Sequence, residues 1–334
     1  MIQSIAIIKL GAAGDVLRTT CILQGLKEIH PTAKITWITK ETAIPLLEHN
    51  PFIHELIAVE NFSPKKFDFV ISLDEDEQAC KIAAELKADA ILFKGFYWDD
   101  GVAYTPDAEQ YYRMSALGPK PMNDVLKKQN TLTYQQHILK IIGIKPVKSE
   151  TIFNLTDDEK GITQSFKKEH ALEDKFTLGL NTGAGKRWPL KRLSIEKTVE
   201  LAELLAPKAK IVLFGGPEEK ERNQEIMEKA TCTIIDAGTN NPVRIFAAKL
   251  AAVDLLITSD SLALHIAIAL KRKIIAFFGP TSASEIELYG LGEKIFPDID
   301  CYCCYKKESH SPNCSDAITI DMIIDTLHTI VPNL

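Results

Sequence analysis

Residues suited to chemistry gather in a few polar knots between apolar runs, and the densest is Ser259-Asp260-Ser261. An apolar run of strand length, residues 255–258, precedes it. The alanine-rich residues 262–270, which carry His265, follow and read as a helix that the knot caps. Residues 273–278 then form a second buried strand, stopped by Gly279-Pro280-Thr281. Strand, helix and strand make a βαβ unit, whose right-handed crossover leaves both strands parallel. Strand C-termini and helix N-termini meet on one edge of such a unit, where helix amide groups favour an anion. Asp260, Ser261 and the Gly279-Pro280-Thr281 turn therefore share a ligand-facing edge suited to a phosphate-bearing molecule.

A second knot lies near the start. Residues 4–10 read as a buried strand, and Gly11-Ala12-Ala13-Gly14-Asp15 as a tight turn opening a helix over 16–30. The turn sets Lys9 and Asp15 at the top edge of a parallel sheet. On pattern alone Asp15 is either a ligand-facing carboxylate or a helix cap. Two glycines without a third do not make the G-x-G-x-x-G dinucleotide fingerprint, so NAD is a poor fit. The acidic run Asp74-Glu75-Asp76-Glu77 suits the start of a helix over 78–87 better than a metal site or an acid/base pair. Midway, the glycine turn Asn181-Thr182-Gly183-Ala184-Gly185 leads into Lys186-Arg187-Trp188-Pro189. Gly215-Gly216-Pro217-Glu218-Glu219 then opens another helix.

The elements that must position these knots alternate strand and helix twice over. In the first half, strands are expected at 4–10, 35–39, 67–73 and 90–93, with helical patterns at 109–117 and 134–142 that each end in glycine. Residues 145–160, with Pro146 and several acids, read as a linker. In the second half, strands at 176–180, 210–214 and 233–236 and helices at 194–205, up to 229, and 242–252 lead into the unit described first. Two consecutive α/β halves without a shorter repeat imply two Rossmann-like domains with parallel sheets, facing one another across an interdomain cleft that holds the ligand. The expected domains are 1–160 and 161–334, with the last helix, 319–330, packing back across the first.

The 334 residues are 46% hydrophobic and 25% charged, as in an ordinary soluble globular chain, and their number fits two domains. A formal net charge of −6 argues against a duplex nucleic acid as partner. No apolar run approaches the ~20 residues that span a bilayer. The apolar N-terminus is short and leads straight into a glycine turn, so it reads as the first core strand rather than a signal peptide, and a cytoplasmic setting is expected. Cys21, Cys80 and Cys232 are scattered and read as reduced thiols, whereas Cys301, Cys303, Cys304 and Cys314 cluster near the end.

Four motifs stand in order: Lys9 with Gly14-Asp15, the run Gly183-Ala184-Gly185-Lys186-Arg187-Trp188-Pro189, Asp260-Ser261 with His265-Ile266-Ala267, and Phe278-Gly279-Pro280-Thr281. Together they resemble the family 9 glycosyltransferases, whose best-known members are the ADP-heptose:lipopolysaccharide heptosyltransferases. The resemblance runs from Ile5 to about residue 330. It implies a GT-B fold, with the acceptor held by the N-terminal domain and the nucleotide-sugar by the C-terminal one. By the match to the family's G-D turn, Asp15 would be the general base, since inverting transfer needs one carboxylate beside the attacking hydroxyl and opposite the leaving group. Lys9, Gly14 and Arg18 stand with it on the acceptor side.

On the donor side the resemblance gives Lys186 the role of offsetting charge on the leaving diphosphate. Asp260 would bind sugar hydroxyls, while Ser261, Leu262 and nearby amides receive the diphosphate. Thr182, Gly183, Gly279, Pro280 and Thr281 would line the same pocket. Glu219 would hold the ribose hydroxyls, with Glu218 and Glu221 as rivals. His265 joins this set by position, although its apolar helix suits a core role. Two departures stand out. Leu262 replaces the glycine that usually follows this aspartate by two residues and admits a close phosphate approach. The cysteine pattern keeps Cys301, Cys304 and Cys314 as candidate ligands for zinc or iron, but adjacent Cys303 and Cys304 suit a metal poorly, and no metal or other cofactor is expected.

The implied reaction moves a heptose from ADP-heptose to an inner-core lipopolysaccharide or lipid-linked acceptor at the cytoplasmic face of the inner membrane. Lys65-Lys66 and Lys127-Lys128 are candidate contacts with anionic groups there. The alternatives are a family 9 transferase with another nucleotide-sugar or a protein acceptor, and a non-catalytic nucleotide-sugar binding protein.

Overall fold

The computed structural model describes residues 1–115, 118–185, 188–305 and 314–334. They divide into two units. The first comprises Met1–Asn154 with Ser284–Glu287, and the second Leu155–Ala283 with Leu288–Leu334.

Short runs rich in Ile, Val, Leu and Phe form a six-stranded sheet in each unit. In the first these are β1 (Ser4–Ile8), β2 (Lys34–Thr39), β3 (Glu55–Ala58), β4 (Phe69–Ser72), β5 (Leu92–Trp98) and β6 (Val102–Tyr104), in the order β3-β2-β1-β4-β5-β6. All neighbours are parallel except β5 and β6. The second has β7 (Thr177–Asn181), β8 (Lys210–Phe214), β9 (Ile234–Asp236), β10 (Leu255–Ser259), β11 (Lys273–Phe277) and β12 (Gly292–Ile295), in the order β12-β11-β10-β7-β8-β9, all parallel. The central strands β4, β7 and β10 are buried throughout, as strands covered on both faces must be.

Both orders describe one topology. The chain runs outward from the first strand, returns to its other side with the fourth, and continues outward. Ligands of such sheets bind beyond the strand C-termini where the order reverses. Those switch points lie between β1 and β4 and between β7 and β10, so the loops after these four strands border the ligand edges.

Several sequence expectations are corrected here. The helix expected over 16–30 is two, Ala13–Thr19 and Ile22–Ile29. Consecutive threonines cause the break: Thr19 Oγ1 donates to the Asp15 carbonyl and Thr20 Oγ1 to that of Leu17, competing with the helical ladder. The last four residues of the expected linker, 157–160, are the start of a helix, Asp157–Glu169, closed at its N-terminus by a reciprocal Thr156–Glu159 capping box. The last helix, Ile320–Ile330, buries Ile320, Ile323 and Leu327 in the core of the second unit. Strands β3, β6 and β12 were hidden by their brevity and partial exposure.

Candidate functional site

In the second unit the loops after β7, β8 and β10 line a cavity of about 420 Å³ together with Asn241, Val243 and Phe246. Its walls are chemically distinct. Pro217, Val243 and Phe246 form an apolar side, Glu218 and Glu219 an acidic one, and Ser261-Leu262-Ala263 present the start of the helix Leu262–Ala269.

Glu219 is 3% exposed. One carboxylate oxygen, Oε2, accepts from the Gly216 amide at 3.0 Å. The other, Oε1, has no hydrogen-bond partner among the described residues, and Arg192 Nη1 stands 3.9 Å from it. A buried carboxylate oxygen with spare acceptor capacity suits a ligand hydroxyl. Gly215 permits this arrangement, because a Cβ there would fall 2.9 Å from both Glu219 Cβ and Asn223 Nδ2.

The expected capping of the 262–269 helix by the polar knot does not occur. Ser261 is its N-cap residue but makes no side-chain cap bond. Its hydroxyl lies 3.2 Å from both Asn181 Nδ2 and Thr258 Oγ1. The helix therefore presents its amino end to the cavity without side-chain capping, a setting that favours an anion.

Asp260 lies beside this wall and not in it. Its Oδ2 accepts from Lys191 Nζ at 2.7 Å and from Thr281 Oγ1 at 2.8 Å. Burial alone would raise the carboxyl pKa, but Lys191 foremost, then His265, hold it well below the usual carboxylate range.

Of the predicted donor-side residues, the cavity brings together Gly183, Glu219, Ser261 and Leu262, and Thr281 joins Asp260. The remaining four do not line it. Thr182 Oγ1 turns to Asn223 and the Phe214 carbonyl. His265 is buried, with Nε2 3.9 Å from Asp260. The Gly279 and Pro280 carbonyls accept from the Cys303 and Tyr305 amides, and a Cβ on Gly279 would meet Cys314 Cβ at 2.8 Å. That glycine answers to packing, not to a ligand. Lys186 lies outside the described residues. Sequence reasoning missed Asn241 and Phe246, which follow β9 and so share the ligand edge. It also passed over Lys191, which sits among other cations.

In the first unit the switch-point loops carry Lys9, Asp15, Asp74 and Glu75. Asp74 Oδ2 accepts from the amides of Leu10 (2.8 Å) and Gly11, fixing the glycine turn, and lies 3.7 Å from Lys9 Nζ. Lys9 also donates to the Leu73 carbonyl at 2.9 Å, so its charge is used inside the fold. Asp15 does not cap its helix, since Ala12 is the N-cap residue. Its carboxylate is 34% exposed and meets Arg18 Nη2 at 2.8 Å. The Arg18 guanidinium stacks 3.7 Å from the Tyr134 ring centroid, and Tyr134 Oη lies 2.6 Å from Thr19 Oγ1. Burial works against both cations, yet Asp74 beside Lys9 and Asp15 beside Arg18 hold their pKa values above the ordinary range. Gly14 lies in the first turn of the helix Ala13–Thr19.

The chain matches the family described as glycosyltransferase family 9 (heptosyltransferase) over residues 64–314. It belongs to glycosyltransferase family 9. Lipopolysaccharide heptosyltransferase 1 of Campylobacter coli is 23% identical over 304 residues, 84% of each chain. Lipopolysaccharide heptosyltransferase 2 of Escherichia coli K12 is 31% identical over 114 residues, 32% of this chain and 31% of that protein. The chain thus spans about a third of the length of that curated relative in the match. A family 9 glycosyltransferase of Veillonella parvula has a solved structure that superposes with a TM-score of 0.81, at 22% identity, covering 99% of this chain and 98% of that one. The fold is of the GT-B type that the motifs imply.

Among the described residues no group of three or more His, Cys, Asp or Glu side chains could hold a metal ion, so Cys301, Cys304 and Cys314 do not assemble into one there. Burial, then the neighbouring Cys304 and Cys301, push the Cys314 thiol up to about 11. No helix among those residues is long and apolar enough to cross a membrane. The expected basic contacts are mostly engaged: Lys65 pairs with Glu55, Lys66 with Asp89 at 3.3 Å, and Lys127 is buried.

Proposed function

We propose that this family 9 glycosyltransferase moves a heptose from ADP-heptose to a lipopolysaccharide inner-core acceptor with inversion at the anomeric carbon. The reading is carried by the cavity over the second switch point. Its apolar wall suits a nucleobase, Glu219 Oε1, which has no hydrogen bond among the described residues, suits a ribose hydroxyl, and the helix start at Ser261–Ala263 suits a diphosphate. A nucleoside diphosphate has these three parts in that order. The relatives' names supply heptose and lipopolysaccharide as the substrates.

In this mechanism Asp15 accepts the proton of an acceptor hydroxyl. The oxygen attacks the anomeric carbon, the bond from that carbon to the diphosphate oxygen breaks, and ADP leaves with the electron pair. Lys186 would offset the charge that develops on the diphosphate. Arg18 orients Asp15 from a position stacked on Tyr134. No metal or cofactor takes part, and the acceptor is presented at the membrane surface.

Purified protein given ADP-heptose and heptose-deficient lipopolysaccharide should release ADP. Asp15→Ala should lower that rate by about a hundredfold or more while leaving ADP-heptose affinity within a few-fold. Preferential binding of NAD in calorimetry, or undiminished turnover by the variant, contradicts the proposal. A different nucleotide-sugar is the second reading, because Leu262 lines the cavity where the family pattern has glycine.

A further inference from the structure

The two oxygens of the Asp260 carboxylate are in unlike circumstances. Oδ2 is occupied by Lys191 Nζ and Thr281 Oγ1, and the same Nζ donates to the Asp260 main-chain carbonyl at 2.9 Å. Oδ1 has no hydrogen bond among the described residues, and His265 Nε2 lies 3.9 Å from it. The pair is largely out of water, the Lys191 side chain 10% and that of Asp260 18% exposed.

Lys191 is itself held in place. It closes the short 3₁₀ turn Pro189–Lys191, and its ammonium lies 5.4 Å from the centroid of the Trp188 ring. A lysine with a carboxylate, a main-chain carbonyl and an aromatic face as neighbours is not a solvated surface charge.

A free carboxylate can accept from two adjacent hydroxyls at once, one on each oxygen. With Oδ2 taken, Asp260 has one oxygen to offer. We infer that Lys191 is a positioning residue for the donor sugar, reserving Oδ2 so that Asp260 turns Oδ1 alone to the sugar hydroxyls. The inference rests on the second unit being the nucleotide-sugar site.

Among the described residues, Lys191 and His265 are the charged or titratable groups that face Asp260, from the 189–191 turn and the 262–269 helix. Removing Lys191 therefore leaves a buried carboxylate without its main cation. Protonation would then reach it at a higher pH than in the native protein.

Calorimetry with ADP and ADP-heptose on the full chain separates the possibilities. For Lys191→Met, ADP affinity should stay within about twofold, and ADP-heptose affinity should fall on the order of tenfold. The remaining ADP-heptose affinity should weaken further between pH 7.5 and 5.5, a dependence the native protein lacks. Lys191→Arg should restore most of the affinity and the flat pH profile. Equal losses for ADP and ADP-heptose, or no loss for either, overturn the inference. Should Lys191→Met not fold, Thr281→Val, which removes the other Oδ2 donor, should give a smaller change of the same selectivity, and no change overturns it. If the native protein binds neither ADP nor ADP-heptose, the donor reading itself falls, an outcome distinct from any pattern among the variants.

Discussion

Glu219 shows how far a single side chain can be read. The family resemblance offers it as a ribose ligand beside Glu218 and Glu221, and the structure gives it one oxygen committed to the Gly216 amide and one without a hydrogen bond among the described residues. Glu219→Ala should weaken ADP by about ten- to a hundredfold, the range for losing a hydrogen bond to a charged group. A deoxyribose analogue of ADP should bind native and variant protein alike, which calorimetry on both can check. Glu75 carries a different consequence. Burial pushes its carboxyl up to about 7; the Ser115 hydroxyl and Lys9 oppose that, and Asp74 adds to it. Folding thus favours the protonated form, and the native state binds more protons than the unfolded chain between the ordinary carboxylate pKa and about 7. Stability should fall as pH rises through that window. Glu75→Gln should therefore be more stable than the native protein at pH 8, by about 1–2 kcal/mol, and indistinguishable at pH 4. Thermal melts at the two pH values decide it. Lys191 shows where residue-level reading stops: among Lys186, Arg187 and Arg192 it looks like one more solvated cation. Only the fold sets it against Asp260.

At the scale of elements, local signals served well where one periodicity ruled and failed where packing did. Strand β8 has the bounds its apolar run implies, and the helix Tyr134–Ile142 stops at Gly143, whose φ of +79° suits a residue without a side chain. The first turn of the helix Asp157–Glu169 reads as linker in the sequence because the helix's exposed face is nearly all charge. The few residues that bury it, Thr163 and Phe166 among them, are too sparse to stand out. The helix Leu262–Ala269 is the informative case. Its sequence marked a capped start, yet the knot serves Lys191, Thr281, Asn181 and Thr258 instead. Leu262→Gly should cost up to about 1 kcal/mol through helix propensity. It should also tighten ADP binding, because it clears the first turn for closer phosphate approach. Weaker ADP binding together with an unchanged melting temperature contradicts this account.

At the scale of the molecule, the two units repeat one strand order, so each has its switch point between its first and fourth strands. That regularity made the α/β class and the two-unit division legible from rhythm alone, while the packing of the last helix was not, because its apolar stripe fits any apolar face. ADP should slow hydrogen exchange at 181–185, 215–219 and 261–263 and leave the amides of β1 to β4 unchanged. Protection spread evenly over both units contradicts the assignment of the nucleotide to the second.

The division of the chain has a practical corollary. Ser284–Glu287, far along the sequence, belongs to the first unit, where the Glu285 carbonyl accepts from the Tyr134 amide at 2.9 Å. Tyr134 is the ring on which Arg18 stacks beside Asp15. A chimera that exchanges the first unit between family members by one crossover near residue 154 would separate that ring from its native tether. Faithful grafting of the first unit requires two crossovers, the second bringing residues 284–287 along.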